Sequence, residues 1–293
     1  MTGEPNQLGD YLRARRELVT PERAGLPSFG PRRVPGLRRE EVAMLAGISA
    51  DYYLRLEQGR DRHPSVQVLE SLARVLQLDD DGAAYLVSLG SEQPRRARRR
   101  PRPEVVPPGI RALLGSLTLP AFVEGRRFDV LAANPLATAL SPRLVAGRNR
   151  LRDVFLEPAE QSLYHGWEGA TAGLVAGFRE SVGTDTGDPR FIELVGELSL
   201  ASDRFRKLWG RHDVRASEGA PVTLEHPQVG ELTLNREKLM IGGTDGQLLV
   251  IYHAEAGTSN ADKLSLLASY SSSAPRPARA QAGEASADSR SHR

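Results

Sequence analysis

The sequence predicts two domains, an all-α unit of five short helices followed by an α+β unit built on one antiparallel sheet. Three observations lead there. Residues 1–90 hold five segments with apolar residues at helical spacing. Residues 91–108 carry five prolines and six arginines, a composition with little to bury. Beyond them, alternating runs at both ends flank a long helical stretch, the order that lays helices on a face of one antiparallel sheet.

Leu8, Tyr11 and Leu12 give a first helix near residues 7–18. The next two helices surround a tight turn. Glu40 and Glu41 lie where the positive end of a helix dipole favours acids, and Val42, Leu45 and Ala46 form one apolar face. Gly47 ends that helix, because glycine takes positive φ without strain, and the Ser49 hydroxyl caps the next. From this third helix Tyr53, Leu54 and Leu56 turn inward, while Ala50, Asp51, Tyr52 and Arg55 turn outward. Leu69, Leu72, Ala73 and Leu76 give a fourth helix capped by Ser65, and Asp79 to Asp81 precede a fifth with Tyr85, Leu86 and Leu89 facing in.

In the second domain, residues 109–270, Ala121–Glu124, the turn Gly125-Arg126-Arg127 and Phe128–Ala132 predict a hairpin. Asn134-Pro135 opens a helix with a capping side chain and proline at the first helical position. Residues 150–211 are mostly helical, with Leu163, Trp167, Leu174 and Phe178 on one face, then Phe191, Leu194, Val195 and Leu198, then Phe205, Leu208 and Trp209. Val222–Glu225, Gly230–Leu234 and Leu248–His253 alternate as strands, and Leu264 and Leu267 end the domain on a short helix. Residues 271–293 have no apolar face and are expected to be a disordered tail.

Composition narrows the function. The 293 residues contain no cysteine, which removes disulfides, thiolate metal sites and thiol catalysis. No apolar run is long enough to cross a bilayer and Met1–Asn6 has no secretory pattern, so a soluble, cytoplasmic protein is expected. The net charge of +2 implies no partner, but only Lys207, Lys238 and Lys263 among 39 basic residues are lysines. Genomic bias accounts for that; arginine also suits bidentate contacts to phosphates and guanine edges.

The turn unit carries the chemistry. Two short helices around a tight turn present the second helix, N-terminus first, to base edges in a major groove while neighbouring groups hold phosphates. The stretch Leu37–Gly59, an apolar helix, a Gly-apolar-Ser turn and an apolar helix ending in Glu57-Gln58-Gly59, resembles the xenobiotic-response-element (XRE) family of helix-turn-helix regulators. That resemblance implies base contacts from Ala50, Asp51, Tyr52 and Arg55, with Arg55 pairing bidentately with guanine O6 and N7. Asp51 either accepts from cytosine N4 or serves only as a first-turn acid. Arg39 stands where relatives carry a glutamine that bonds a phosphate, and Arg60 and Arg62 follow in the loop that lies along the backbone. Each of these arginines also has a plain reading as a solvated surface residue. The loop of residues 19–36, with Arg32-Arg33, and the spacer arginines Arg95, Arg96, Arg98, Arg99, Arg100 and Arg102 are open to the same two readings.

The run Gly196–Ser199, then Phe205–Val214, then His226–Leu234 resembles the ligand-binding domain of MmyB-like transcription regulators, as does the lead-in Pro35–Ala43. The resemblance spans residues 7 to about 268. It implies an all-α five-helix helix-turn-helix DNA-binding domain followed by an α+β PAS-like sensor domain, and family members hold a fatty acid there. Relatives often carry tryptophan where Ala133 stands, which alters the pocket expected here. Tyr164, Trp167, Phe205 and Trp209 are candidates for apolar walls, with Arg211, His212 and His226 orienting an acid head. Ordinary core packing, and a salt bridge within Arg211-His212-Asp213 holding the strand junction, are the structural alternatives.

An enzyme is not expected. Gly196-Glu197-Leu198-Ser199 lacks the second glycine of a nucleophile elbow, no zinc-binding motif is present, and Gly242–Gly246 reads as a hairpin turn. No cofactor or metal is expected. The sequence predicts a homodimeric transcriptional regulator that binds a two-fold symmetric duplex operator, with DNA binding modulated by a small hydrophobic acid. The alternative is a regulator whose second domain only dimerises it.

Overall fold

The structure, a computed structural model, describes residues 6–27, 34–91, 104–183, 187–215, 219 and 221–273. The N-terminal unit is built from α1 (Gln7–Leu18), α2 (Arg39–Ala46), α3 (Ala50–Glu57), α4 (Val66–Val75) and α5 (Asp80–Gly90). Local chemistry sets these bounds. Asn6, Ser49, Ser65 and Asp79 accept backbone N–H groups at the starts of α1, α3, α4 and α5. Glu41 reaches back to the Arg38 N–H at 2.7 Å to cap α2, and Gly47, with φ 69°, turns the chain left-handed at its end.

Tyr11, Leu12, Leu37, Val42, Tyr53, Leu56, Leu69, Leu72 and Leu76 form the centre of this unit. The apolar face predicted for α2 shifts by one position. Val42 and Ala43 are buried and Leu45 is largely exposed, because the small Ala43 side chain lets α2 sit close to its neighbours. Leu54 is half-buried rather than fully inward. Gly9 allows α1 to touch the end of α3: a Cβ there would lie 2.2 Å from the Glu57 carbonyl oxygen. Arg32-Arg33 and the six-arginine run of the spacer lie outside the described residues.

The second unit contains α6 (Pro108–Ser116), β1 (Ala121–Glu124), β2 (Val130–Ala133), α7 (Pro135–Leu140), α8 (Arg150–Leu156) and α9 (Pro158–Leu163). It continues through α10 (Trp167–Val182), α11 (Pro189–Ala201), α12 (Asp203–Gly210), β3 (Val222–His226), β4 (Gly230–Met240), β5 (Leu248–His253) and α13 (Ser259–Ser273). The five strands make one antiparallel sheet in the order β2-β1-β5-β4-β3. On one face Phe122, Val130, Leu232, Leu234, Val250 and Tyr252 meet α7, α9 and α13. On the other, Val123, Ala132 and Leu249 meet Leu114 of α6 and Val106 just before that helix. Helices therefore cover both faces, where the sequence suggested one. Helix α6 went unrecognised because its apolar residues follow directly on a proline-rich run.

A third cluster, formed by Phe128, Phe155, Phe178, Phe191, Leu198 and Phe205, binds α8, α10, α11 and α12 together. The single face predicted from Leu163 to Phe178 is divided by a turn at Tyr164–Gly166. Leu163 packs toward the sheet, and Trp167 and Phe178 pack into the helical cluster. Strand β4 runs on past Leu234 to Met240. Its second half pairs with β5 although Arg236 and Lys238 stand where apolar residues would mark a strand. Helix α13 reaches Ser273, longer than predicted and three residues into the segment expected to be disordered; the rest of that segment lies outside the described residues. Among the described residues no helix is long and apolar enough to cross a membrane.

Candidate nucleic-acid interface and ligand site

Helix α3 presents the residues singled out for base reading. The Ser49 hydroxyl accepts from the Tyr52 N–H at 3.1 Å, which points the N-terminal turn of α3 away from the core. Ala50 and Asp51 are exposed, and Tyr52 and Arg55 are half-buried. Asp51 and Arg55, one helical turn apart, form an ion pair, and the Arg55 guanidinium lies 5.6 Å from the Tyr52 ring centroid. The three side chains thus form one connected polar patch. Burial, followed by the negative charge of Asp61, raises the Tyr52 hydroxyl above the ordinary tyrosine range, so it stays a neutral donor. Arg60 and Arg62 are exposed just beyond, with the Arg62 Nε–H donating to the Gly59 carbonyl at 3.1 Å.

Arg39 has a second partner that its position in sequence did not reveal. Its Nε–H donates to Glu57 Oε2 at 2.6 Å, while Arg16 of α1 donates to Glu57 Oε1 at 2.7 Å. The Glu57 carboxylate is fully buried between two guanidinium groups. Burial pushes its pKa up, but the hydrogen bonds from Arg16 and Arg39 outweigh that and hold it below the ordinary carboxylate range. The signal was present: an acid in the last turn of a helix opposes the dipole unless cations face it. Arg39, whose side chain remains 41% exposed, therefore joins the outer edge of α2 to the end of the reading helix.

The seven candidate ligand residues fall in three separate places. Trp167, Phe205 and Trp209 belong to the helical cluster of α8, α10, α11 and α12. There Phe205 and Trp209 stack at 5.8 Å, and the Trp167 indole donates to the Val154 carbonyl at 3.0 Å. Arg211 and His212 lie in the turn after α12, beside the N-terminal unit. Arg211 bonds Asp213 at 2.9 Å, and Arg179 donates to His212 Nδ1 at 3.2 Å. This Arg211–Asp213 bridge does not close a strand junction within the second unit, because Asp213 also accepts from Arg15 of α1.

His226 lies at the end of β3, where its Nε2 contacts the Ala139 carbonyl at 3.1 Å and its Nδ1 accepts from the Gln228 N–H at 3.2 Å. Those two contacts hold the imidazole in place between the sheet and α7. Tyr164 packs against the sheet interior. Beside it lies Arg150, a residue sequence reasoning missed. Its guanidinium is buried, pairs with Glu124 and sits 5.1 Å from the Phe122 ring centroid, and its charge acts on the Tyr164 hydroxyl. Burial raises the Tyr164 pKa against the opposing charge of Arg150, so that hydroxyl stays protonated. Lys238, on the same sheet face, is pushed down to about 8 by burial. No sequence pattern marks Arg150, because it is the first residue of a short helix whose cap is Asn149.

Comparison with known families accounts for both units. A family model described as a helix-turn-helix domain matches residues 7–86, which include all of α1 to α4 and most of α5. A second, the MmyB-like transcription regulator ligand binding domain, matches residues 106–267 and takes in the whole five-stranded sheet. No curated protein matches the chain. The helix-turn-helix matched by the first model and the sheet-and-helix unit matched over more than half the chain together make this protein a DNA-binding transcriptional regulator with a ligand-binding domain, a member of the MmyB-like transcription regulator family.

Proposed function

We propose that the protein is a non-enzymatic, sequence-specific regulator of the XRE type. It acts as a homodimer on a two-fold symmetric operator, and an apolar acid of the fatty-acid kind modulates its DNA affinity. The surface patch of exposed Asp51 and half-buried Tyr52 and Arg55 at the capped start of α3 carries this reading, since it offers a guanidinium to base edges from a rigid helix end. Ala50 adds a methyl contact, and Arg39, Arg60 and Arg62 hold phosphates on either side.

In the ligand-binding domain, Arg150 and the neutral Tyr164 hydroxyl are the polar groups placed within an apolar interior. They lie against the sheet core, where a carboxylate head would compete with Glu124 for Arg150, whereas Arg211 and His212 lie at the junction with the N-terminal unit and His226 is held by Ala139 and Gln228. The spans 1–90, 91–108, 109–270 and 271–293 serve as DNA-binding unit, spacer, sensor and tail, with the sensor extended back to Val106, which is buried against its sheet, and on to Ser273 at the end of α13. A second reading, in which the sensor only assembles the dimer, is favoured by Ile192 and Leu200, which stand exposed on α11.

Thermal unfolding of the purified protein with saturated fatty acids, and with alcohols of equal chain length, separates the two readings. A stabilising acid raises the midpoint in proportion to the logarithm of its concentration, worth about 2.7 kcal/mol at a hundred times Kd. Acids that stabilise where alcohols do not support the head-group assignment. No shift with any chain length leaves assembly as the sensor's role.

A further inference from the structure

The ligand-binding domain is physically built into the core of the DNA-binding unit. Arg15 of α1 donates to Asp213 Oδ1 at 2.5 Å, and the other Asp213 oxygen accepts from Arg211 at 2.9 Å. The next residue, Val214, is buried with the helical core of the N-terminal unit, alongside Tyr11 and Leu86. Arg179 of α10 is buried at the same junction. Its guanidinium lies 3.7 Å from the Trp209 ring centroid, donates to the Trp209 carbonyl at 2.5 Å and to His212 Nδ1 at 3.2 Å, and its charge acts on the Tyr85 hydroxyl of α5.

Tyr11 meets Tyr85 and His212 edge-on, with centroids 5.2 and 6.4 Å apart. His212 holds a φ of 55°, a left-handed conformation that costs a non-glycine residue energy and persists only where its surroundings enforce it. A buried guanidinium, a strained turn and an apolar side chain placed in the neighbouring core are features of a fixed joint.

We infer that the turn 211–214 and Arg179 form a clamp through which the sensor holds α1 and, through α1, the reading helix. Arg15 and Arg16 are consecutive in α1 and serve opposite sides: Arg15 reaches the sensor's Asp213, and Arg16 reaches Glu57 at the end of α3. On the sensor side, Trp209 stacks on Phe205 in the helical cluster. A displacement of α12 therefore moves the carbonyl that Arg179 grips and the turn that Arg15 holds. The base-reading patch is not covered, since Ala50 and Asp51 stay exposed with the clamp in place. The sensor then acts by holding the geometry and stability of the DNA-binding unit instead of shielding it. That regulatory consequence rests on the ligand-responsive reading proposed above; the clamp itself does not.

Hydrogen exchange on the full-length protein, without ligand or DNA, tests it. Arg15→Ala and Asp213→Ala should each speed exchange of the α1 amides by about tenfold or more, the scale of a lost charge-assisted bond. The double variant should add little to either single one, and the β5 amides should not change. Val214→Ala, milder and on the same turn, should accelerate α1 in the same direction if Asp213→Ala proves too unstable to study. Unchanged α1 exchange in the Asp213 and Val214 variants, or Arg15 and Asp213 effects that simply multiply, would overturn the clamp. If the exchange results hold but no effector alters DNA affinity, the clamp stands and the ligand-responsive reading fails.

Discussion

Arg16 and Glu57 form a buried ion pair, Nε to Oε1 at 2.7 Å, that fastens the first helix beneath the last turn of the reading helix. With Arg39 on the second carboxylate oxygen, Glu57 is the point where α1, α2 and α3 are joined. Truncating one partner of such a pair leaves an unpaired buried charge. Glu57→Ala should therefore destabilise the DNA-binding unit by about 3–5 kcal/mol, read by denaturant unfolding. Because the folded-state pKa of Glu57 is depressed, its contribution is present above the ordinary carboxylate range and lost as pH falls through the folded value. Acid unfolding of the wild type should be steeper than that of Glu57→Gln.

His212 gives a pH dependence nearer neutrality. Burial, then Arg179 and Arg15, push its pKa down to about 3 from an ordinary 6.5. Between those values the unfolded chain binds a proton that the folded chain refuses, so stability falls as pH drops below 6.5. The groups around the ring are Tyr11 and Arg15 of α1, Tyr85 of α5, Arg179 of α10, and Arg211 and Asp213 of its own turn. His212→Asn tolerates the left-handed φ and cannot take up a proton. Its melting temperature should fall less between pH 7 and pH 5 than that of the wild type.

Phe205 separates packing from ligand lining. It is fully buried and meets Phe155 at 5.3 Å and Trp209 at 5.8 Å. Phe205→Ala should cost about 3–5 kcal/mol of stability as a core truncation. A loss below about 1 kcal/mol, together with lost acid binding, would return Phe205 to the ligand wall.

Much of this architecture is legible in the sequence because local chemistry dictates it. Ser49, Ser65 and Asn134 cap the helices they were expected to cap, Asp79, expected only to precede the fifth helix, caps it, and Gly47 takes the positive φ expected of it. The hairpin of β1 and β2 and the strand Leu248–His253 form where they were expected, although β1 is buried along its whole length and only β2 alternates strictly. What escaped the sequence depends on residues far apart in the chain. Leu45 reads as core and is exposed because Ala43 takes the inward position, a choice made by neighbouring helices. Arg236 and Lys238 hide the second half of β4, since charged residues stand where apolar ones would mark a strand and only the pairing with β5 reveals it. The candidate ligand residues were drawn together by composition alone, whereas topology sends Trp209 to the helical cluster, His226 to the sheet edge and Arg211 to the domain junction.

Arg39 and Arg60 should differ in a way that geometry explains. Each substitution to alanine should lower the salt dependence of duplex binding by about one unit of slope for a lost phosphate contact. Arg39→Ala should also lower the melting temperature, because it strips one cation from Glu57. Arg60→Ala, exposed beyond α3, should leave it unchanged.

The claim under all of this is that α3 tells one duplex from another. Unbiased selection from random double-stranded oligonucleotides, using the full-length wild type and Arg55→Ala in parallel at low ionic strength, measures it most directly. The account predicts a two-fold symmetric motif for the wild type, with a guanine position that loses its preference in Arg55→Ala while weak binding to all sequences survives. Enrichment of no motif by the wild type, or an identical motif from both proteins, would contradict it.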